Sequence, residues 1–358
     1  MNLEKLDIYR VRNIQQATLS PSPGINFIYG KNASGKSSLL EAIYILGRAR
    51  SFRSKSIKQV IQFEQADLIV SAKVRQTNSS ISSFGVQLNG QETTIHINQE
   101  EILLRSELAY ALPIQLIHPK SYQLLDGGPQ YRREFMDWGI FNMYPDFLPN
   151  WRGFKKSLLQ RNSLLKTRQL EQIDVWDQEL AQYGTIVAEY RKEYLKQLEP
   201  LVRNIVSKFT IIDTPEIKIV SGWDSTKSYF KCLQEDVEKD LRYGFTHSGP
   251  HRGDFLLLCD NKPAKDYVSR GQLKLLVLAL KLAQIEILKS SMAQRVCVLI
   301  DDITAELDVE NRAKLLFFLS QLEHQVFITT NELKEFGEIS LIGQHKMFHV
   351  EHGEVKLT

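Results

Sequence analysis

The sequence has little of what would mark a disulfide scaffold, a metal ribbon or a membrane protein. Three cysteines occur in 358 residues, Cys232, Cys259 and Cys297, far apart and without a metal-spaced pair. They support neither a disulfide framework nor a zinc site. Cys259 and Cys297 lie in apolar runs, as small hydrophobes do. The pattern suits a reducing cytosol, so a cytoplasmic location is expected. No apolar run is long enough to cross a bilayer, since the longest, near Leu273 to Leu282, is broken by Lys274 and Lys281. Met1 to Asp7 contains no apolar signal segment. There is no internal repeat, no low-complexity tract and no heptad pattern long enough for an extended coiled-coil arm. Net charge is only +3, so affinity for a polyanion has to come from local clusters.

What stands out is Gly30-Lys31-Asn32-Ala33-Ser34-Gly35-Lys36-Ser37, followed by Ser38. It matches the phosphate-cradling pattern G-x-x-x-x-G-K-[ST] at every position. Ile25 to Tyr29 before it reads as a buried strand, and Ser38 to Leu46 after it as an amphipathic helix. A loop entering a helix N-terminus directs backbone N–H groups and the positive end of the dipole at one point. Lys36 can reach β- and γ-phosphates and Ser37 can hold Mg²⁺, so ATP and Mg²⁺ are the expected cofactors. Far along the chain, Val296 to Ile300 reads as a buried strand ending in Asp301 and Asp302. Two carboxylates at such a strand end are costly without a metal or partner. Asp301 is assigned to Mg²⁺, directly or through water, and Asp302 to polarising the attacking water. The catalytic candidates are therefore Asp302 and Lys36.

Between these motifs the alternating runs Leu68 to Val74, Ser83 to Leu88 and Thr93 to Ile97 predict an antiparallel β layer, with Asn89-Gly90 as a hairpin signal. Residues 151–208 are mostly helical in pattern, with a long helix over Gln178 to Leu198. Two basic clusters lack acids. Arg48 to Lys58 includes Arg50, Arg53 and Lys55; Trp151 to Arg168 includes Lys155, Lys156 and Arg161. Each is read either as a solvated face or as a contact for nucleic-acid phosphates. Gly244 to Asp254 is a Gly-, Pro-, His- and Arg-containing loop before a strand. The division expected is an N-terminal ATPase part (1–120), a helical subdomain that could contact DNA (121–210) and a C-terminal ATPase part (211–358).

The order of these pieces resembles the ABC-type ATPase head of the SMC and recombination-repair family: a phosphate loop, then Ser269-Arg270-Gly271-Gln272 opening a long helix, then the Asp-Asp strand, then Leu307-Asp308. Within that group the chain is similar to the bacterial RecF family. The likeness runs nearly end to end and includes Arg12-Asn13, Arg50-Ser51-Phe52-Arg53, Gly128-Pro129-x-x-Arg132-Arg133 and Gly249-Pro250-His251-Arg252. The fold it implies is an α/β ABC-type head with an antiparallel β layer and an inserted helical subdomain.

By motif, the resemblance implies that Ser269, Arg270, Gly271 and Gln272 are the signature, contacting ATP on the other protomer of an ATP-dependent homodimer. It makes Asp308 the D-loop aspartate. Thr330 stands where many ABC ATPases have the switch histidine. Gly253 stands where an acid is common, so no metal role is given to it. The glutamine loop has no assigned position. The resemblance further implies a weak, DNA-stimulated, Mg-dependent ATPase acting in DNA repair, replication and recombination. Gap repair, RecA loading and SOS induction would follow, on single-stranded or gapped DNA and single/double-strand junctions, with RecR- and RecO-type mediators. The competing readings are a transporter-coupled ABC ATPase, which needs an apolar docking surface, and a P-loop small-molecule kinase, which needs no signature.

Overall fold

Ile25–Tyr29 forms a strand buried at four of its five positions, as expected of a strand covered on both faces. It lies near the middle of a six-stranded sheet in the order Glu354–Leu357, His345–Glu351, Ile25–Tyr29, Gln325–Thr330, Cys297–Ile300, Ile114–Ile117. Five of these strands run parallel, and Glu354–Leu357 closes the edge as an antiparallel hairpin. The parallel strands therefore point their carboxyl ends the same way, where open α/β sheets place ligands. The structure is a computed structural model and describes residues 1–209, 215–292, 295–302, 307–336 and 342–358.

A second six-stranded sheet is antiparallel throughout, in the order Ile14–Leu19, Asn2–Val11, Asp67–Arg75, Ile81–Asn89, Thr93–Ile97, Glu100–Glu101. Alternate residues of Asp67–Arg75 are buried, so one face is apolar and the other wet. The turn after Ile81–Asn89 is built as its sequence predicts: Asn89 Oδ1 accepts from the backbone N–H groups of Gln91 (2.8 Å) and Glu92 (2.6 Å).

The phosphate-loop helix, Lys36–Arg48, packs against strands of both sheets. Eleven of its thirteen residues are buried, so its polar side is covered as well as its apolar one, and Glu41 on that side is fully enclosed. The apolar side chains Leu39, Leu40, Ile43 and Leu46 join Leu6, Ile8, Val70 and Val86 of the antiparallel sheet in one core with Leu299 and Phe327 of the parallel sheet.

The molecule divides into two compact units, residues 1–121 with 288–358, and residues 122–287. The second carries the helices Pro129–Met143, Phe147–Thr167 and Ile173–Phe209. It also holds a three-stranded antiparallel sheet, Lys262–Pro263, Asp254–Cys259 and Glu216–Val220. The long helix extends well beyond Gln178 to Leu198 in both directions and carries Pro200 inside it. The helical stretch read at 121–210 shares this unit with residues 211–287.

Candidate functional site

The geometry of the phosphate loop begins with its backbone. Gly30 sits at φ 151°, and a Cβ there would lie 2.2 Å from Val350 O. No side chain is tolerated at that point without moving the neighbouring strand. Gly35 precedes the helix, and no side chain caps that helix end. The N–H groups of a first helical turn have no intrahelical acceptor, so this end is available to an anion.

Sheet register then brings three strand ends together. Thr330 pairs with Tyr29 and Ile300 with Ile328, which puts Asn331 beside Gly30 and Asp301 beside Thr329. The side chains follow. The Lys36 ammonium donates to Gly30 O (2.7 Å), Lys31 O (2.9 Å) and Asn331 Oδ1 (3.1 Å). Ser37 Oγ donates to Asp301 Oδ1 (2.9 Å), which also accepts from Thr329 Oγ1 (2.9 Å). Asp302 follows at φ 49°, its N–H donating to Thr329 Oγ1 (2.8 Å). Residues 265 positions apart in sequence, Lys36 and Asp301, thus belong to one site. Thr330, assigned to the switch position, is fully buried and donates to Glu332 O (3.1 Å). Its neighbour Asn331 is the residue against Lys36, and sequence reading missed it.

Two further residues brace the loop. Asn13 Nδ2 donates to Ser34 O (3.0 Å), and Asn13 Oδ1 accepts from Ser38 Oγ (2.9 Å). Arg12 forks onto the fully buried carboxylate of Glu41 in the phosphate-loop helix, with both contacts at 2.9 Å. Such a bidentate pair fixes orientation as well as charge. Glu41 also accepts from Ser51 Oγ and lies 3.8 Å from Arg53. Arg53 is therefore partly engaged within its own chain, whereas Arg50 and Lys55 are exposed.

The donor set suits Mg²⁺ with a nucleotide. A hydroxyl and a carboxylate stand 2.9 Å apart beside an ammonium and a helix N-terminus. Hard oxygen ligands few in number, completed by phosphate oxygens, are the usual protein share of such a site.

Asp308 caps the helix Val309–Gln321, accepting from Asn311 N (2.8 Å). That backbone hydrogen bond holds its carboxyl below the usual carboxylate range. Ala305 and Glu306 lie outside the described residues. In the second unit, Ser269 opens the helix Arg270–Met292 through a reciprocal capping box. Gln272 N donates to Ser269 Oγ (3.2 Å) and Ser269 N to Gln272 Oε1 (2.9 Å). Ser269, Arg270 and Gly271 are exposed.

The basic helix Phe147–Thr167 needs one correction. Arg161 has no exposed surface. It pairs with Asp177 (2.5 Å) and Asp240 (2.6 Å) and donates to Thr246 Oγ1 (2.9 Å) and Leu233 O (3.2 Å). Its charge is wholly used inside the unit, so it contacts no DNA; Lys155 and Lys156 remain exposed. The spacing of Phe154, Leu158, Arg161 and Leu165, all buried, repeats at 4, 3 and 4 residues and already puts Arg161 on the core stripe.

The Gly244–Asp254 loop is no simple turn either. Gly249, at φ 138°, leaves no room for a Cβ, which would meet Tyr229 Oη at 2.1 Å. Arg191 donates to Pro250 O (2.6 Å) and forks onto Asp137 (2.8 and 2.9 Å), while Arg132 forks onto Asp254 (2.7 and 2.9 Å). His251 Nε2 lies 2.9 Å from Thr246 O, and burial lowers the ring's pKa to about 4.

Together, the parallel sheet with its phosphate loop and Asp-Asp strand, the antiparallel layer over it and the inserted helical unit define an ABC-type ATPase head. The profile of the RecF/RecN/SMC N-terminal domain family matches residues 2–355. DNA replication and repair protein RecF of Shewanella piezotolerans is 41% identical over 357 residues, covering 99% of each chain. The protein of that name from Pseudomonas aeruginosa is 38% identical over 364 residues, covering 100% of this chain and 98% of its own. A solved structure of the recombination mediator protein RecF with ATP, of the RecFOR pathway, superposes with a TM-score of 0.88 at 26% identity, covering 99% and 97% of the two chains. The Smc head domain of Pyrococcus furiosus shares the fold with a TM-score of 0.61 at 16% identity, covering 99% and 95%. The chain belongs to the RecF/RecN/SMC N-terminal domain family and, within it, to the bacterial RecF group.

Proposed function

We propose that this chain is an ATP-dependent DNA-binding protein of recombinational repair and replication. In this reading slow ATP hydrolysis controls its dimerisation and its hold on DNA. The observation that carries the ATPase part is the Ser37–Asp301 contact, which joins the phosphate loop to the Asp-Asp strand. Full-length similarity to RecF proteins of DNA replication and repair supports the DNA part. The RecFOR pathway named for the solved neighbour supports RecR- and RecO-type mediators as partners. Gapped DNA and single/double-strand junctions are the substrates, the cytoplasm is the compartment, and DNA stimulates turnover. No observation favours transporter coupling.

Lys36 exchanges its contacts with Gly30 O, Lys31 O and Asn331 for β- and γ-phosphate oxygens. Ser37 and Asp301 would hold the metal, and Thr329 Oγ1 fixes the Asp301 carboxylate by its hydrogen bond. Magnesium, when bound with ATP, neutralises charge developing on the phosphates. Asp302 orients the attacking water and takes up its proton. Ser269, Arg270 and Gly271 complete the site of the partner protomer, with Asp308 lining the same junction.

The test is a pair of variants assayed for ATP binding and phosphate release. Lys36→Ala removes the cation of the loop, and hydrolysis is expected to fall by roughly two orders of magnitude or more, as when a preorganised charge is removed. Asp302→Asn is expected to keep ATP bound while turnover slows about a hundredfold, a typical share for a positioned base. Hydrolysis by Lys36→Ala at the wild-type rate sinks the assignment.

A further inference from the structure

We propose that Arg133, Lys155 and Arg252 form a surface on the second unit that binds the phosphodiester backbone of DNA, centred on the loop Gly249-Pro250-His251-Arg252. This rests on the DNA-binding reading above and gives it a location. Neither Arg133 nor Arg252 stands in the two basic clusters Arg48 to Lys58 and Trp151 to Arg168.

The argument is a local count of charges. Four carboxylates serve this loop: Asp137 and Asp254 are each taken by a forked arginine, Arg191 and Arg132, Asp240 pairs with Arg161 and with His247, and Asp236 accepts from Ser248 Oγ. Three more cations converge on the same place. Arg133 Nη1 donates to Gly253 O (3.0 Å), next to Arg252. The Arg252 guanidinium lies 5.2 Å from the Phe245 ring centre. Lys155 Nζ lies 5.3 Å from the Trp151 ring, and its neighbour Phe154 packs 6.2 Å from His251. Among the described residues, none of the three forms an ion pair. They are not independent surface charges: those of Arg252, Lys155 and Arg133 each act to lower the pKa of His251, after burial. Burial, then Arg191, lowers that of Arg133, against the opposing pull of Asp254 and Asp137.

Cations held this close, none of them in an ion pair among the described residues, suit an anion from outside. Lys155 and Arg252 are exposed and Arg133 is half-buried, so the anion has access. The aromatic surroundings narrow the choice. Phe245 stacks 4.3 Å from His247, and Tyr243 is 59% exposed beside them. Cations interleaved with rings suit an extended polyanion bearing bases better than an isolated phosphate. Backbone contacts of this sort are independent of sequence.

The experiment uses the full chain with ATP and a fluorescein-labelled gapped duplex, following anisotropy through a KCl titration. Arg252→Gln/Lys155→Gln should weaken binding about tenfold or more near physiological salt. It should also reduce the magnitude of the log–log salt slope by about 2, since each phosphate contact contributes about 0.9. Arg133→Lys should keep the wild-type slope while Arg133→Gln lowers it, which separates charge from loop geometry. Thermal midpoints show that each variant is folded. Lys192→Gln/Lys196→Gln, which removes the same charge from another exposed face, should leave the slope in place. If the wild type binds DNA and the first double variant keeps its affinity and slope, the location is wrong while the DNA-binding reading stands. If the wild type binds no DNA, the functional reading fails and takes the location with it. Displacement of the duplex by millimolar inorganic phosphate as readily as by unlabelled oligonucleotide would overturn the proposal in favour of a small-anion site.

Discussion

The carboxyl edge of the parallel sheet and the Gly244–Asp254 loop of the second unit both gather charged side chains into partly buried places, and they settle those charges in opposite ways. At the sheet edge, Lys36 rests on carbonyls and an amide, and Asp301 on two hydroxyls. Those contacts are hydrogen bonds to uncharged groups, made at the strand ends where the phosphate loop opens. In the loop, Arg132, Arg161 and Arg191 each carry a carboxylate of their own. Those three are architecture, and only the cations left over are free to act on a partner. A charged residue type therefore says little by itself. In the second unit, what separates a candidate ligand-facing charge from a structural one is whether the fold has already supplied its counter-ion.

The largest effect that tests this difference is expected at Arg161. Arg161→Leu leaves Asp177 and Asp240 buried without their arginine, and Asp240 keeps His247. Breaking a buried pair from one side costs about 3–5 kcal/mol. All four tryptophans, Trp138, Trp151, Trp176 and Trp223, lie in the second unit. Tryptophan fluorescence during urea unfolding therefore reports on that unit, and its midpoint should drop sharply. A midpoint equal to that of the wild type would return Arg161 to the surface and to the list of DNA contacts.

A smaller effect is expected from acid. His251 Nε2 faces Thr246 O, so this nitrogen carries the proton of the neutral ring, and the buried Nδ1 has no hydrogen-bond partner among the described residues. Protonation would place a second N–H there, close to Arg252, Lys155 and Arg133. The folded pKa lies near 4, below the ordinary 6.5, so the unfolded chain binds the extra proton first. Stability from this group is present above pH 6.5 and is lost as pH falls toward 4. The loss is at most about 3 kcal/mol from the size of the shift, and less because the ring is not fully enclosed. His251→Gln should flatten that part of the curve of tryptophan midpoint against pH. An unchanged curve would remove His251 as its source and weaken the picture of a loop crowded with positive charge.

The two regions also differ in how far they can be read from sequence. The phosphate loop is eight consecutive residues whose spacing is the chemistry, and the Asp-Asp strand is a contiguous apolar run with its acids at the end. Local order was enough for both, and for the antiparallel layer with its Asn89-Gly90 turn. Asn331 escaped because its contact with Lys36 depends on the register of strands 300 residues apart. Arg161 was misread because its charge was weighed before its position on the helix. Arg133 and Arg252 lie in quoted motifs but outside the two acid-free basic clusters, more than a hundred residues apart, and meet only through the fold. The strands His345–Glu351 and Glu354–Leu357 were passed over because the first mixes His, Lys, Met and Phe without clean alternation, being half-covered along most of its length.

The smallest effect concerns the junction between protomers and is a factor of two. In the second unit, Ser269, Arg270 and Gly271 are exposed, and the Ser269 side chain caps its own helix. If this signature completes the opposite protomer's site, every working site needs Lys36 from one chain and Ser269 from the other. Lys36→Ala and Ser269→Arg should each be nearly inactive alone. The second also loses its cap, costing about 1 kcal/mol at an exposed helix end, too little to unfold the chain. In a mixed dimer, one site unites the intact phosphate loop of the Ser269→Arg chain with the intact signature of the Lys36→Ala chain; the other site carries both defects. Isologous pairing makes the two sites equivalent in the wild type, so mixing should restore turnover to about half per mixed dimer. Differential tagging shows whether mixed dimers form. If they form with ATP and remain inactive, a covalently linked dimer with both substitutions on one chain decides why. It has no intact composite site, so activity there would mean that Ser269 serves its own chain, and the signature would then belong with the structural charges of the second unit.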